Sequence, residues 1–326
     1  MNNKILITGA AGFIGHQVAC EVNRKFDVYL LVRPGTNPKR LGNLTEKATI
    51  IEADLRNIKK LREKINEHEF GAIIHIGAIR NRPHTTAEDY LKANVQATEQ
   101  LALRAMETQT KFIYFSSVGV FGSVPLQLPA GNKSIKISDN SYHDSKNKSE
   151  KLINKYVLYG LKAAIIRPTI TYGPGDFGFT YSLIKMIKNR TLLIPNPAPL
   201  IHLGSVELLV QAVQKLLDFD FKPGCEYNIG DNHPVKLLEL ADLISKEIHG
   251  KPFSRLRIIP IAWFNLAERF FGMIKCRAWQ QRFQLFSKDW YYDVEAASKE
   301  LNLKNQDTLS AIRSTIEWFK KVQKKK

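Results

Sequence analysis

An open, doubly wound parallel α/β sheet is the fold class this sequence predicts, and three observations carry the expectation. Short β-branched runs alternate with longer amphipathic stretches through the first half, the pattern of parallel strands joined by helical crossovers. A glycine triplet stands at the first strand-to-helix junction. The chain, 326 residues at 44% hydrophobic and 24% charged, has the size and composition to bury a substantial core without cross-links.

Taken in order, the strands are KILIT (4–8), VYLLV (28–32), ATIIE (48–52), AIIHI (72–76), KFIYF (111–115) and KAAIIR (162–167). Each is short, apolar and rich in Ile, Val or aromatic residues, as a strand buried on both faces must be. The intervening stretches near 13–25, 57–68, 84–107 and 142–158 are long enough for crossover helices, which pack right-handedly on both faces of such a sheet.

After Pro168 the texture changes. TITYGPGDFGF and IPNPAPLIHLG are rich in Gly and Pro, and helical stretches follow near 179–189, 205–218 and 236–249. The expected organisation is a Rossmann domain over 1–170, with return segments near 200–225, and a smaller, mainly C-terminal α+β substrate domain over 171–326. The apolar stretch RIIPIAWFNLAERFFGMI (257–274) is too short to span a bilayer. It reads as a core helix of the smaller domain, the alternative being a lid over an apolar substrate or a membrane surface.

A formal net charge of +17 invites an anionic partner, but the cations are scattered except in the tail KKVQKKK, which reads as a solvated helix end. Neither zinc-finger spacing nor an RNP-like motif is present, which argues against sequence-specific nucleic-acid binding. Cys20, Cys225 and Cys276 are odd in number and far apart, suiting a reducing compartment and no metal. The strand-like run beginning at Lys4 leaves no room for a secretion signal, so a cytoplasmic location is expected.

TGAAGFIG (8–15) places Gly9, Gly12 and Gly15 where a tight turn, an approach to a pyrophosphate and close helix–strand packing each require a missing side chain. Eighteen residues after Gly15, the second strand ends in Arg33. An arginine there suits the 2′-phosphate of NADP, with Lys39 and Arg40 adding charge, whereas NAD would call for an acid. Arg33 stacked on adenine or facing solvent is the alternative. Asp54 and Leu55 follow the third strand, and Asp54 fits either an adenine-amino acceptor or a helix N-cap. Gly77 and Ala78 after the fourth strand are small enough for a cofactor to pass.

The fifth strand ends in Ser116 and Ser117, at the carboxyl edge where such sheets bind ligands. Tyr142 and Lys146 in YHDSK are spaced i, i+4 and share one helix face. A cation beside the phenol would lower its pKa from about 10 toward neutrality, as acid/base work requires.

These ordered motifs resemble an extended short-chain dehydrogenase/reductase of the NAD(P)-dependent epimerase/dehydratase superfamily. The likeness runs nearly the whole length: TGAAGFIG, Asp54-Leu55, HIGA (75–78), Asn94 in NVQAT, SSVGVFG, YHDSK, RPTITYGPGD, YNIGD and DVEAASKEL. It implies a catalytic set of Ser117, Tyr142 and Lys146, with Ser117 preferred over Ser116 for holding the substrate oxygen. It implies that Gly9, Gly12, Phe13, Ile14, Gly15, Arg33, Asp54, Leu55, Gly77, Ala78, Asn94, Lys146, Pro168 and Thr169 line a dinucleotide. Relatives often form homodimers through helices like those near 84–107 and 142–158.

Three departures from the family pattern stand out. HIGA replaces HLAA, adding backbone freedom; Phe121 replaces a tyrosine; and Gly204 and Ser205 stand where many relatives carry an aspartate pair. No arginine precedes that position in PNPAPLIHLG, where nucleotide-sugar enzymes commonly hold a diphosphate. With RPTITYGPGD and the apolar 257–274 stretch, this is closer to the 3β-hydroxysteroid dehydrogenase and dihydroflavonol reductase-like branch. The expected activity is hydride transfer between NADP(H) and a hydroxyl or ketone of a small, fairly apolar molecule. A nucleotide-sugar epimerase or dehydratase and a non-catalytic dinucleotide-binding module are the alternatives.

Overall fold

The structure, a computed structural model, describes residues 3–80, 85–304 and 306–324. His84, where the third crossover helix is expected to begin, and the last two lysines of the tail lie outside the described residues. In chain order the first half runs β1 (Lys4–Thr8), α1 (Phe13–Val22), β2 (Asp27–Val32), α2 (Leu44–Lys47), β3 (Thr49–Glu52), α3 (Ile58–Asn66) and β4 (Ala72–His75). Then come α4 (Ala87–Tyr90), a π-helical turn (Leu91–Gln96), α5 (Ala97–Glu107), β5 (Lys111–Phe115), α6 (Ser141–Val157) and β6 (Ala163–Pro168).

The remainder begins with β7 (Ile170–Tyr172), α7 (Phe179–Lys188), β8 (Ile194–Asn196), β9 (Leu200–Ile201), β10 (Leu203–Ser205), α8 (Val206–Asp218) and β11 (Cys225–Ile229). It continues with β12 (Val235–Lys236), α9 (Leu237–His249), β13 (Ile258–Pro260), α10 (Ile261–Met273), α11 (Arg277–Ser287), α12 (Glu295–Glu300), α13 (Thr308–Ala311) and α14 (Arg313–Lys324).

Seven parallel strands form the central sheet in the order β11-β6-β5-β4-β1-β2-β3. Strand order reverses between β1 and β4, so the carboxyl ends of those two strands open the crevice in which such sheets bind ligands. Apolar side chains fill both faces. Ile5, Ile7, Val18 and Leu209 belong to the cluster on one side, and Leu6, Ile73, Leu101 and Phe112 to that on the other. A third cluster, built on Leu183, Ile201, Leu240 and Trp290, lies under the elements that follow β6.

One expectation is refined and one corrected. The helix expected over 84–107 is present over 87–107, but carries a π turn from which the Asn94 side chain bonds the backbone of Ile79. The apolar 257–274 stretch is not a core helix: it forms β13 and α10, and Phe264 is the one buried side chain of α10. Apolar composition alone does not say whether anything covers a helix.

Helix α6 is anchored from beneath by charge. Arg167 on β6 donates through Nε and Nη2 to both oxygens of Glu150 at 2.8 Å, and the two side chains have no solvent exposure. Lys136 (2.7 Å) adds a second cation to Glu150, while Glu226 of β11 (2.5 Å) and Asn132 (2.9 Å) complete the guanidinium's partners. Removing one member of a buried ion pair strands the other. Glu150→Ala is therefore expected to cost about 3–5 kcal/mol, read as a lower urea unfolding midpoint with an unchanged slope.

Candidate functional site

The glycine turn is dictated by space. Gly9 has φ +79°, and a Cβ there would lie 2.7 Å from the Gly77 nitrogen. One on Gly15 would lie 2.1 Å from the Gly9 oxygen, an impossible approach. Gly12 N–H donates to Gly9 O at 2.9 Å, closing the turn at the N-terminus of α1. The Phe13 ring reaches across to Gly173 and Gly175 of the YGPGD loop, whereas Ile14 packs on the core.

Gly77 supplies room rather than backbone freedom: a Cβ there would meet Thr8 Oγ1 at 3.0 Å and Leu55 Cδ1 at 3.1 Å. Ala78 follows it half-buried, in the loop after β4.

Arg33 is exposed at the end of β2, close enough to Asp54 to help hold that carboxyl below its usual range. The main cause of that lowering is Arg56, whose Nη2 donates to Asp54 Oδ2 at 2.9 Å. Asp54 does not cap α3; Asn57 does, accepting from Lys60 N–H, because it is the residue directly before the helix. Arg56 escaped the sequence reading, since nothing local distinguishes it from other surface arginines. Lys39 and Arg40 lie exposed in a 3-10 turn beyond Arg33.

At the carboxyl edge the predicted catalytic residues converge. Ser117 caps a 3-10 turn and its Oγ accepts from Gly119 N–H at 3.0 Å. Tyr142 stands in the first turn of α6, where Ser117 is near enough to favour ionisation of its phenol. Lys146, one turn on, is fully buried and donates from Nζ to Phe115 O (2.6 Å) and Tyr114 Oη (3.2 Å). Its Nζ lies 5.9 Å from the centre of the Tyr142 ring.

The expected electrostatics are corrected here. Burial pushes the Tyr142 phenol up, against the lowering influence of Arg80 and Ser117. Burial also draws Lys146 down to about 7, with Glu150 pulling it back up. Desolvation penalises both charged forms, and it outweighs the pairwise effect that the i, i+4 spacing suggested.

A buried hydrogen-bond chain joins the two ends of the site. Gly77 N–H donates to Thr8 Oγ1 (2.9 Å), which also bonds His75 Nδ1 (2.7 Å). His75 Nε2 meets Thr98 Oγ1 (2.9 Å), whose hydroxyl donates to Asn94 O (2.6 Å). Asn94 Nδ2 donates to Ser145 Oγ (2.9 Å), and Ser145 donates to Tyr142 O (2.7 Å). Burial lowers His75 to about 3, so the ring is neutral, with one nitrogen donating and the other accepting.

Asp139 and His143 also went unread. Burial raises the Asp139 carboxyl, but hydrogen bonds from His143 and Ser123 outweigh it and leave the group at about 2. His143 Nδ1 lies 2.5 Å from Asp139 Oδ1, and the far side of the ring occupies the space a Cβ on Gly119 would need. The imidazole thus packs against the turn that carries Ser117. Phe121 is buried beneath the Arg167 guanidinium, 5.4 Å from ring centre to Cζ.

The missing aspartate pair has a physical account. A Cβ on Gly204 would lie 2.6 Å from Thr169 Oγ1 and 2.9 Å from Gly230 Cα, so no larger side chain fits without displacing β6's end. Asp231 lies beside this position, and its Oδ1 accepts from Ser205 N–H at 2.9 Å. Its Oδ2 accepts from Tyr172 (2.8 Å) and Thr308 (2.5 Å).

Pro168 ends β6 and Thr169 follows it, both buried. Ser116 Oγ and Thr169 Oγ1 are buried with no protein partner. Polar atoms left so at two adjacent strand ends, beside a turn open to a phosphate, fit the nicotinamide half of a dinucleotide. Among the described residues there is no cluster of metal-ligating side chains and no helix long and apolar enough to cross a membrane.

The model of the NAD dependent epimerase/dehydratase family matches residues 5–230. A putative UDP-glucose 4-epimerase of Methanocaldococcus jannaschii is 29% identical, over 75% of this chain and 82% of its own. Human short-chain dehydrogenase/reductase family 42E member 1 is 22% identical, over 97% of this chain and 87% of its own. The crystal structure of UDP-glucuronic acid 4-epimerase from Bacillus cereus in complex with NAD superposes with a TM-score of 0.74 at 20% identity. That match covers 98% of this chain and 99% of the other.

Burial raises Asp231 to about 6, with its three donors opposing. The folded state therefore holds this proton more tightly than the unfolded chain. The associated stability is complete below about pH 4 and is lost as pH rises through about 6. Asp231→Asn mimics the protonated form, so wild-type stability relative to this variant is expected to fall by up to about 3 kcal/mol between pH 4 and 7, measured by urea unfolding at each pH.

Proposed function

The chain belongs to the NAD dependent epimerase/dehydratase family, and on that premise we propose that it catalyses hydride transfer at a hydroxyl or ketone carbon with Tyr142 as the general acid/base. The observation that carries the reading is the convergence of Ser117, Tyr142 and Lys146 at the carboxyl edge of β5, beside the glycine turn. A bound nicotinamide would supply or accept the hydride.

The remaining work falls to the chain's own groups. Ser117 holds the substrate oxygen. Tyr142, kept as the neutral phenol by burial, gives its proton to that oxygen in reduction and takes it back in oxidation. Lys146, lowered to about 7, can carry its charge at neutral pH while bonding the nicotinamide ribose. Asn94 and Ser145 hold the Tyr142 turn in place.

For the cofactor we favour NADP(H), supported by Arg33 at the end of β2, where no acid follows to bind a free 2′-hydroxyl. For the substrate, the absence of an arginine in PNPAPLIHLG supports a fairly apolar molecule held mainly by residues after 171. A nucleotide-sugar substrate is the second reading, supported by the likeness to a putative UDP-glucose 4-epimerase.

Tyr142→Phe is expected to abolish turnover while fluorescence titration still gives wild-type NADPH affinity, tighter than that for NADH. Lys146→Met is expected to weaken both turnover and cofactor binding; an effect on substrate affinity alone would contradict its double role. Mass spectrometry of ligands retained on purification separates the substrates: a nucleotide sugar would reverse the ranking, and an apolar alcohol or ketone would support it.

A further inference from the structure

Helix α10 carries two apolar stripes, and the protein uses only one of them. On the inner side Phe264 and Phe271 meet Phe283 of α11, at ring-centre distances of 5.9 and 5.5 Å, and these contacts hold the α10–α11 hairpin together. The outer stripe is Trp263, Leu266, Phe270, Met273 and Ile274, at spacings of three, four, three and one. At 3.6 residues per turn these positions fall within about 100° of helix surface. Trp263 is 63% exposed, Phe270 55% and Met273 82%, so the stripe has no cover among the described residues. A continuous exposed patch of this kind marks an interaction surface.

The charge around it selects the partner. Residues 251–288 contain eight Lys or Arg and one acid, Glu268, a net of 8 − 1 = +7 out of +17 for the whole chain. Glu268 is committed to Lys288, at 2.9 Å. Arg269 flanks the stripe on α10, while Lys275 and Arg277 stand where α10 turns into α11. Arg282 lies over the ring of Trp279, 4.9 Å from its centre, and Trp279 stacks on Phe271 at 5.7 Å.

We propose that the outer face of the α10–α11 hairpin docks on the surface of an anionic lipid bilayer. At 13 residues α10 is about 20 Å long, too short to span about 30 Å of hydrocarbon but suited to lying in the interfacial plane. There the apolar stripe enters the acyl boundary, with tryptophans at headgroup depth and arginines on the phosphates. Self-association through this face is disfavoured, since it would bring two clusters of net +7 together.

The test is co-sedimentation of the full chain with vesicles of mixed phosphatidylcholine and phosphatidylserine, against pure phosphatidylcholine, with neither cofactor nor substrate present. Its result is therefore independent of the catalytic reading. The wild type is expected to pellet with the mixed vesicles, with a blue shift in tryptophan emission, and to be released by salt. Arg269→Gln and Arg277→Gln are each expected to weaken binding about fivefold. Trp263→Ser/Phe270→Ser, which leaves the Phe264, Phe271 and Phe283 rings that hold the hairpin in place and removes only the edge contact of Phe270 on its neighbour Phe271, is expected to remain folded by circular dichroism and to lose binding. No binding of the wild type at low salt would overturn the proposal. So would undiminished binding of the double variant, or a dimer that the double variant dissolves without any vesicle binding.

Discussion

The buried pair of Arg167 and Glu150 is the constraint on which the rest of the structure turns. Two charges held out of water must have every donor and acceptor matched, or the desolvation penalty goes unanswered. Here the matching recruits distant chain: Lys136 and Asn132 from the loop after β5, and Glu226 from β11. β11 thereby completes the sheet beside β6 with its own acid aimed at β6's arginine. A pair of well-packed apolar side chains would stabilise the fold at least as well. What the ions add is direction, because each oxygen of Glu150 has an assigned nitrogen and α6 can neither slide nor rotate over the sheet without losing one.

The upper half of α6 inherits that position, and a polar chain refines it. Thr8, His75, Thr98, Asn94 and Ser145 pass one hydrogen bond after another from the glycine turn to the carbonyl of Tyr142. The π turn at Leu91–Gln96 is part of this arrangement: it frees Asn94 to bond outside its own helix while its carbonyl still accepts from Thr98 and Ser149. Both ends of the site are thus tied to one buried network.

How much of this the sequence disclosed depends on how local each feature is. The glycine turn was legible because its requirement is steric and short-range, and YHDSK because a helix fixes which residues share a face. The strands and most helices were legible from period and composition. Asp231 was not, because its partners Ser205, Tyr172 and Thr308 are brought to it only by folding. Nor was the Asp139–His143 pair, whose meaning depends on Gly119 lying against the ring. The exposure of α10 was misread for the complementary reason: its sequence is apolar on nearly every side, and periodicity cannot tell which side finds a neighbour.

The sign of the tyrosine–lysine interaction shows how burial reorders a local expectation. Spacing alone suggests a lysine that makes tyrosine acidic, which requires the lysine to be charged. Burying Lys146 favours its neutral form, and the group that restores its charge is Glu150, one helical turn further on. Glu150 in turn stays ionised, against its own burial, because Arg167 and Lys136 hold it so. The charge on Lys146 therefore depends on the structural ion pair beneath it. The charge state at the top of α6 and mechanical fixation at its middle are one electrostatic arrangement, built on the buried charge pair beneath.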